Sequence, residues 1–331
     1  MEMLELQTSL ESQQRRKLLL AGGAMLATSA WSQPSTWNPA RPIKLVVTYP
    51  PGGGADVSAR AITDRLGQKL GQPVVIDNRA GAGGVVGTEV VYHSQPDGYT
   101  LLWGNADILA IAPHLYAKLP YKPQDFVAIS PVCGIGFVLA GRQGLEAKGF
   151  EELLALARSR ELTSASWGNG SPGHVGTEMF KTLGKVSKML TVPYQGTAPA
   201  AQALLAGQVD LMFMPMPLWQ SMQSRIVTYA VAAKARYPRM PTVATMAEFG
   251  VPADLEVWQG LFAPPQTPRP VIERIHRATA EVIGDTVVRK KLEDLGALPL
   301  SGSQEEFASL ISKDITRWGE IMRAAQVQPQ N

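Results

Sequence analysis

The sequence holds one cysteine, Cys133, which excludes an intramolecular disulfide and a cysteine-rich zinc site. Histidine is scarce too. His93, His114, His174 and His276 are nowhere spaced with one another or with carboxylates as metal ligands must be, so neither metal nor cofactor is expected. No lysine closes any glycine-rich loop, which excludes a P-loop. The run Gly81-Ala82-Gly83-Gly84-Val85-Val86-Gly87 has valine where a dinucleotide loop needs its third glycine, and reads as a close-packed turn. Asn169 stands where a Gly-x-Ser-x-Gly elbow around Ser171 would need glycine. Neither sign of charge dominates: 31 Lys and Arg face 28 Asp and Glu, scattered, with no stripe for nucleic acid. No solenoid repeat is present, and no apolar run reaches the roughly 20 residues of a membrane span.

The N-terminus carries a signal. Arg15, Arg16 and Lys17 precede an apolar run from Leu18 to about Thr28, and Ala30-Trp31-Ser32 offers a small-x-small cleavage site. Residues 1–32 are expected to be a signal peptide, with the mature chain exported and starting near Gln33. The pair Arg15-Arg16 suits a twin-arginine leader, and the general export route stays open. The alternative is a disordered basic tail beside an uncleaved apolar segment.

Beyond the leader, short apolar runs alternate with amphipathic patterns. Ile43–Thr48 reads as a strand; Ala59, Ile62, Leu66 and Leu70 mark a helix closed by Gly71. Strands at Val74–Asp77 and Thr100–Trp103 flank a helix at Val85–His93. The rhythm repeats through helices at Phe150–Arg160, Pro172–Leu183 and Ala198–Ala206 and extended runs at Leu162–Ser166, Met189–Pro193 and Val209–Met214. The last third reads as mainly helical, and Met212, Met214 and Met216 as core or hinge packing. Such alternation predicts an α/β fold with mainly parallel sheet. The length exceeds one core, so two lobes are expected, with a crossover near Cys133–Leu139 and a return near Leu255–Leu261.

Three loops share one form, each leaving an extended segment and entering a helix. They are Tyr49-Pro50-Pro51-Gly52-Gly53-Gly54-Ala55-Asp56, Gly168-Asn169-Gly170-Ser171-Pro172-Gly173-His174 and Tyr194-Gln195-Gly196-Thr197-Ala198-Pro199-Ala200. A helix start offers unpaired N–H groups and partial positive charge, and glycine lets a ligand's oxygens approach. Each loop alone is usually only a turn; three together suggest anion donors from two lobes facing one cleft. Ser171 suits an N-cap, Thr197 is expected to cap the third helix similarly, and Asp56 is expected either to cap or to order its loop. Arg60, one turn on, is expected to pair with Asp56 on the helix surface, so a carboxylate held by neutral donors fits better than phosphate.

Tyr49–Arg60 resembles the first signature, F-P-P-G-G-x-x-D-x-x-A-R, of the tripartite tricarboxylate transporter (Bug) family of solute receptors. Asp77–Gly84, Pro96–Leu102, Leu115–Tyr121, Val192–Gly196, Pro199-Ala200, Gly207–Asp210, Pro241–Val243 and Trp258–Leu261 are similar to later family motifs, in order. The likeness runs from about Arg41 to Ala325. It implies a two-lobed, type II-like periplasmic binding protein with a cleft between domains, binding a small organic carboxylate and catalysing nothing. The ligand would be a di- or tricarboxylate, an acidic amino acid, or an aromatic acid or amide. Domain 1 would comprise residues 33–138 plus 257–331, and domain 2 residues 139–256. A periplasmic, monomeric receptor partnered by membrane transport subunits follows from the same likeness. Carried over, ligand contacts fall on Tyr49, Pro51, Gly53, Ala55 and Asp56, on Gly170, Ser171 and His174, and on Thr197 and Asp210.

The sequence also departs from the family. Asn105-Ala106-Asp107 replaces small hydroxyl residues, Trp167 replaces a small one, and Ala112 stands for asparagine. If Asp107 and Trp167 face the cleft, they point to a monocarboxylate with an amide or amine, or to an aromatic acid, in place of citrate. If they face away, that motive goes. Two other readings stay open: a sensor showing its closed form to a signalling partner, and a hydrolase using Ser171, His174 and Asp210, though serine and histidine three apart suit mutual capping better.

Overall fold

The computed structural model describes residues 37–237 and 240–327; the expected leader, residues 1–32, lies outside them. β1 (Ile43–Val47) ends before Pro50-Pro51, and Gly52, at φ 79°, turns the chain into α1 (Gly54–Leu70). α1 buries Ala59, Ile62, Leu66 and Leu70 on one stripe and stops at Gly71, which takes the left-handed conformation open to glycine. β2 (Val74–Asn78), α2 (Val85–Tyr92) and β3 (Thr100–Asn105) follow. A π-helical turn, Asp107–Ile111, leads into α3 (Ala112–Leu115), and then comes β4 (Val127–Ile135).

One residue, Gly136, joins β4 to β5 (Phe137–Gly141). The second lobe continues through α4 (Phe150–Ser159), β6 (Leu162–Ser166), α5 (Pro172–Gly184), β7 (Met189–Pro193), α6 (Thr197–Leu205), β8 (Leu211–Pro215), α7 (Met216–Met222) and β9 (Val227–Val231). The chain then returns to the first lobe with β10 (Val257–Ala263), α8 (Arg269–Gly284), α9 (Thr286–Asp294), β11 (Ala297–Pro299) and α10 (Gln304–Ala324).

Each lobe has its own sheet, ordered β11-β4-β10-β3-β1-β2 in the first and β7-β6-β8-β5-β9 in the second. β1 runs parallel to β2 and β3, and β6 parallel to β7 and β8, as helical crossovers require. β10 enters between β3 and β4 antiparallel to both, and β5 runs antiparallel to β8 and β9. The expected mainly parallel sheet is therefore corrected to two mixed sheets. The strands that carry the chain into and out of the second lobe arrive without a crossover helix, so they run against their neighbours.

The core of the first lobe rests on paired absences. Gly104 and Gly260 oppose each other across β3 and β10. A Cβ on Gly104 would lie 2.4 Å from the Phe262 ring, and one on Gly260 would lie 2.6 Å from that of Phe307. Bare backbone lets these rings lie close to the sheet. Trp318 of α10 is fully buried beside them, and its indole N–H donates to Asp314 at 3.0 Å. Asp314 also accepts from Trp258 at 2.9 Å and pairs with Arg317. α10 in turn braces the π-helical turn and α3, with His114 Nε2 2.7 Å from the Ile315 carbonyl oxygen.

Candidate functional site

The lobes meet over a cavity lined by Tyr49, Ala55, Asn105, Asp107, Ile135, Phe137, Trp167, Thr197, Pro215, Val257 and Gln259. Its walls come from the carboxyl ends of β1, β3, β4, β6 and β8 and from the starts of β5 and β10. Ligands of open α/β sheets bind at such strand ends. The cavity volume is about 30 Å³, room for one or two waters, and the cavity is partly open to solvent, so admitting a larger solute requires side chains or lobes to move. The loops already touch across the cleft. The Gly54 N–H donates to Thr197 Oγ1 at 3.3 Å, and the Trp167 indole N–H donates to Asp107 at 3.2 Å.

Asp107 and Trp167 thus both turn inward. Asp107 Oδ2 also accepts from the Tyr49 hydroxyl at 2.8 Å, and Trp167 stacks on Phe137 with ring centroids 5.7 Å apart. Burial pushes the Asp107 carboxyl up to about 6, against the opposite pull of the Tyr49 and Trp167 hydrogen bonds. Burial, and then the Asp107 charge, raise the Tyr49 hydroxyl well above its ordinary value and keep it a neutral donor. Among the described residues, no lysine, arginine or histidine lines the cavity to offset the carboxylate.

A stability prediction follows. A free aspartate titrates near 3.8, so folding raises this group's affinity for its proton. The stabilisation from holding that proton is full below about 3.8 and is lost as pH rises through about 6. Asp107→Asn keeps an acceptor for Tyr49 and Trp167 without the buried charge. At pH 7.5 it should be more stable than wild type by roughly 1–2 kcal/mol, with the advantage gone by about pH 4. Urea unfolding at both pH values measures this; a variant less stable at pH 7.5 would contradict it.

Of the other sequence-derived candidates, Tyr49, Ala55, Asn105 and Thr197 reach the cavity. Gly53 lies at its rim, where an added Cβ would sit 2.7 Å from Thr197 Oγ1. Pro51 is on the exposed side of the loop. The Asp56 carboxylate is spent inside its loop, accepting from Gly52 N–H (2.9 Å), Arg60 Nε (2.8 Å) and Asn78 Nδ2 (3.0 Å). Burial opposes its ionisation, but these donors outweigh burial and hold the carboxyl below its ordinary value.

Gly170, Ser171 and His174 form a knot beside the cavity. The Ser171 hydroxyl donates to Gly168 O at 2.7 Å, and His174 Nδ1 accepts from the Gly170 N–H at 3.0 Å. Burial lowers the His174 pKa and favours the neutral ring. The serine hydroxyl and the imidazole do not engage each other as nucleophile and base. Asp210 is not brought to the cavity. It precedes β8 at the end away from Pro215, roughly 16 Å along the strand, and accepts from Arg142 Nε and from Thr163 N–H and Oγ1, each at 3.0 Å.

Ile135, Phe137, Pro215, Val257 and Gln259 line the cavity and were not among the candidates. One of them was detectable: a glutamine inside the apolar run Val257–Ala263 must find partners if buried. Gln259 is 4% exposed, and its Oε1 accepts from Trp103 Nε1 at 3.2 Å and lies 3.7 Å from Cys133 Sγ.

Known proteins are similar in sequence and fold. The family described as "Tripartite tricarboxylate transporter family receptor" matches residues 58–327. BugT of Bordetella pertussis is 34% identical over 316 residues, spanning 93% of this chain and 97% of BugT. A Rhodopseudomonas palustris protein solved with adipate superposes with a TM-score of 0.85 at 31% identity, over 88% of this chain and 99% of that one. MatC of R. palustris, solved with bound malate, gives 0.81 at 34% identity, over 86% and 99%.

Proposed function

Since the chain belongs to the tripartite tricarboxylate transporter receptor family, we propose that it is a periplasmic receptor capturing a small organic carboxylate for membrane transport subunits. One observation carries the ligand class: uncapped backbone donors of one lobe meet the other lobe across a cavity. α1 begins at Gly53 with no side-chain cap, and its first intrahelical bond is Val57 N–H to Gly53 O. The N–H groups of Ala55 and Asp56 are therefore without intrahelical partners, and that of Ala55, which lines the cavity, is left for an anion. Adipate and malate in the two R. palustris proteins support the same class. The basic and apolar pattern of residues 1–32 supports export.

The mechanism is a shift of population. A solute touching both lobes favours the closed form over the open one, and the closed, monomeric receptor then docks. The two crossings lie close together. The Ala232 N–H donates to Phe137 O at 2.8 Å, and a Cβ on Gly136 would overlap the Tyr237 hydroxyl, so Gly136 is where the chain can pass between lobes.

A thermal-shift screen tests the proposal. Residues 33–331, unfolded and refolded to strip carried-over solute, meet dicarboxylates, tricarboxylates, amino acids and aromatic acids with their amides. A ligand at 100 times its Kd adds about 2.7 kcal/mol, a shift of several degrees for a chain of this size. Stabilisation by carboxylates is the expected result. Silence across the panel would count against the receptor reading.

A further inference from the structure

We propose that the cleft selects a small zwitterion, one carboxylate joined to one protonated or alkylated nitrogen, and that Asp107 is the residue that recognises the nitrogen. This rests on the receptor reading above and narrows it.

The cavity lining pairs amide donors with one carboxylate. The donors are the Ala55 N–H group, at the uncapped start of α1, and the amide of Gln259. The Trp103 indole N–H and the Cys133 thiol both face Gln259 Oε1, which fixes the amide orientation and leaves Nε2 free to donate. These donors suit a carboxylate.

The carboxylate is Asp107, 7% exposed and, among the described residues that line the cavity, the only acidic or basic one. Its Oδ2 is occupied by Tyr49 and Trp167, while Oδ1 has no side-chain partner among the described residues. Tyr49, Phe137 and Trp167 line the same space. A carboxylate among aromatic rings is the chemistry that recognises ammonium groups, through charge and through the negative ring faces. A second carboxylate there would meet a buried like charge. At about 5 Å in a protein interior that disfavours binding on the order of 100-fold. Because burial makes the Asp107 charge costly, a cationic partner gains what a diacid loses.

The test is calorimetric titration of the refolded chain at pH 7.5 with series matched in length. Each series holds an ω-amino acid with one, two or three methylenes, its N-trimethyl derivative, the diacid and the plain monoacid. At one length, a nitrogen-bearing member should bind at least tenfold tighter than both the diacid and the monoacid. Asp107→Asn should weaken that member at least tenfold and leave the diacid unchanged or tighter, which also shows that the variant is folded. Diacid binding as tight as the zwitterion in wild type overturns the proposal and leaves the receptor reading standing. A nitrogen preference that survives Asp107→Asn overturns the role given to Asp107. No binding by any member up to millimolar concentration overturns both readings.

Discussion

Valine at position 53 is expected to weaken ligand binding at least 100-fold while leaving the unliganded melting temperature within about 2 °C of wild type. Gly53 has φ −78° and ψ 168°, extended backbone that valine adopts without strain. The obstacle lies across the cleft, where an added Cβ would sit 2.7 Å from Thr197 Oγ1. Rotation of Thr197 relieves one methyl, so alanine should be mild. Valine fills the gap whichever way the threonine turns, and Thr197 also holds the Gly54 N–H. Only the closed form bears this cost. A ligand that needs closure loses affinity by the factor through which the closed population falls, and about 3 kcal/mol gives on the order of 100-fold. Titration with any solute found to bind measures the loss, and adding Thr197→Ala should recover part of it. Wild-type affinity in the valine variant would mean that the lobes do not close here.

Trp318→Ala should cost roughly 3–5 kcal/mol of folding stability and lower the melting temperature by about 8 °C or more. The side chain is fully buried, its indole N–H is bonded to Asp314, and the Arg317 guanidinium lies 4.8 Å from its ring centroid. Alanine leaves a cavity that the surrounding sheet and helix cannot collapse to fill. Asp314→Ala should approach the same cost by another route, since it strands two buried indole donors, while Arg317 keeps its contacts with Asp254 and Glu256. Urea unfolding distinguishes a real keystone from a tolerant one: a loss under about 1 kcal/mol for Trp318→Ala would place the core's strength elsewhere.

Much of this architecture is legible in the chain because its elements announce themselves locally. The alternation from Ile43 to Trp103 yields β1, α1, β2, α2 and β3 within a residue or two at most ends, with the start of α1 as the exception. Each strand is an apolar run, each helix has a stripe, and glycine or proline stands between. β10 shows where local reading stops. Val257–Ala263 is apolar apart from Gln259 and Gly260, and periodicity carries no direction, so its antiparallel entry between β3 and β4 is visible only in three dimensions. The site divides in the same way. Glycine loops at helix starts mark Gly53, Ala55 and Thr197. Phe137, Val257 and Gln259 lie in the two stretches where the crossings are expected, but a crossing read from sequence spans several residues and does not say which side chain turns to the cavity. Asp210 follows a glycine turn and precedes a strand, but strand direction puts it at the far end from the cleft.

The position of β10 also sets an order of assembly. The second sheet is made wholly from residues 137–231, so its strands can find one another as soon as that stretch exists. The first sheet cannot be completed so early. β4 has two partners, β10 and β11, and both lie more than 100 residues downstream. Until residue 257 is made, β4 has neither neighbour and β3 keeps an open edge, both apolar and prone to pair with other chains. The lobe that begins the chain is therefore the last to be finished. Truncation before β10 would leave an intact second lobe joined to an aggregating first one, and pairings of this sequence separation make complete refolding slow.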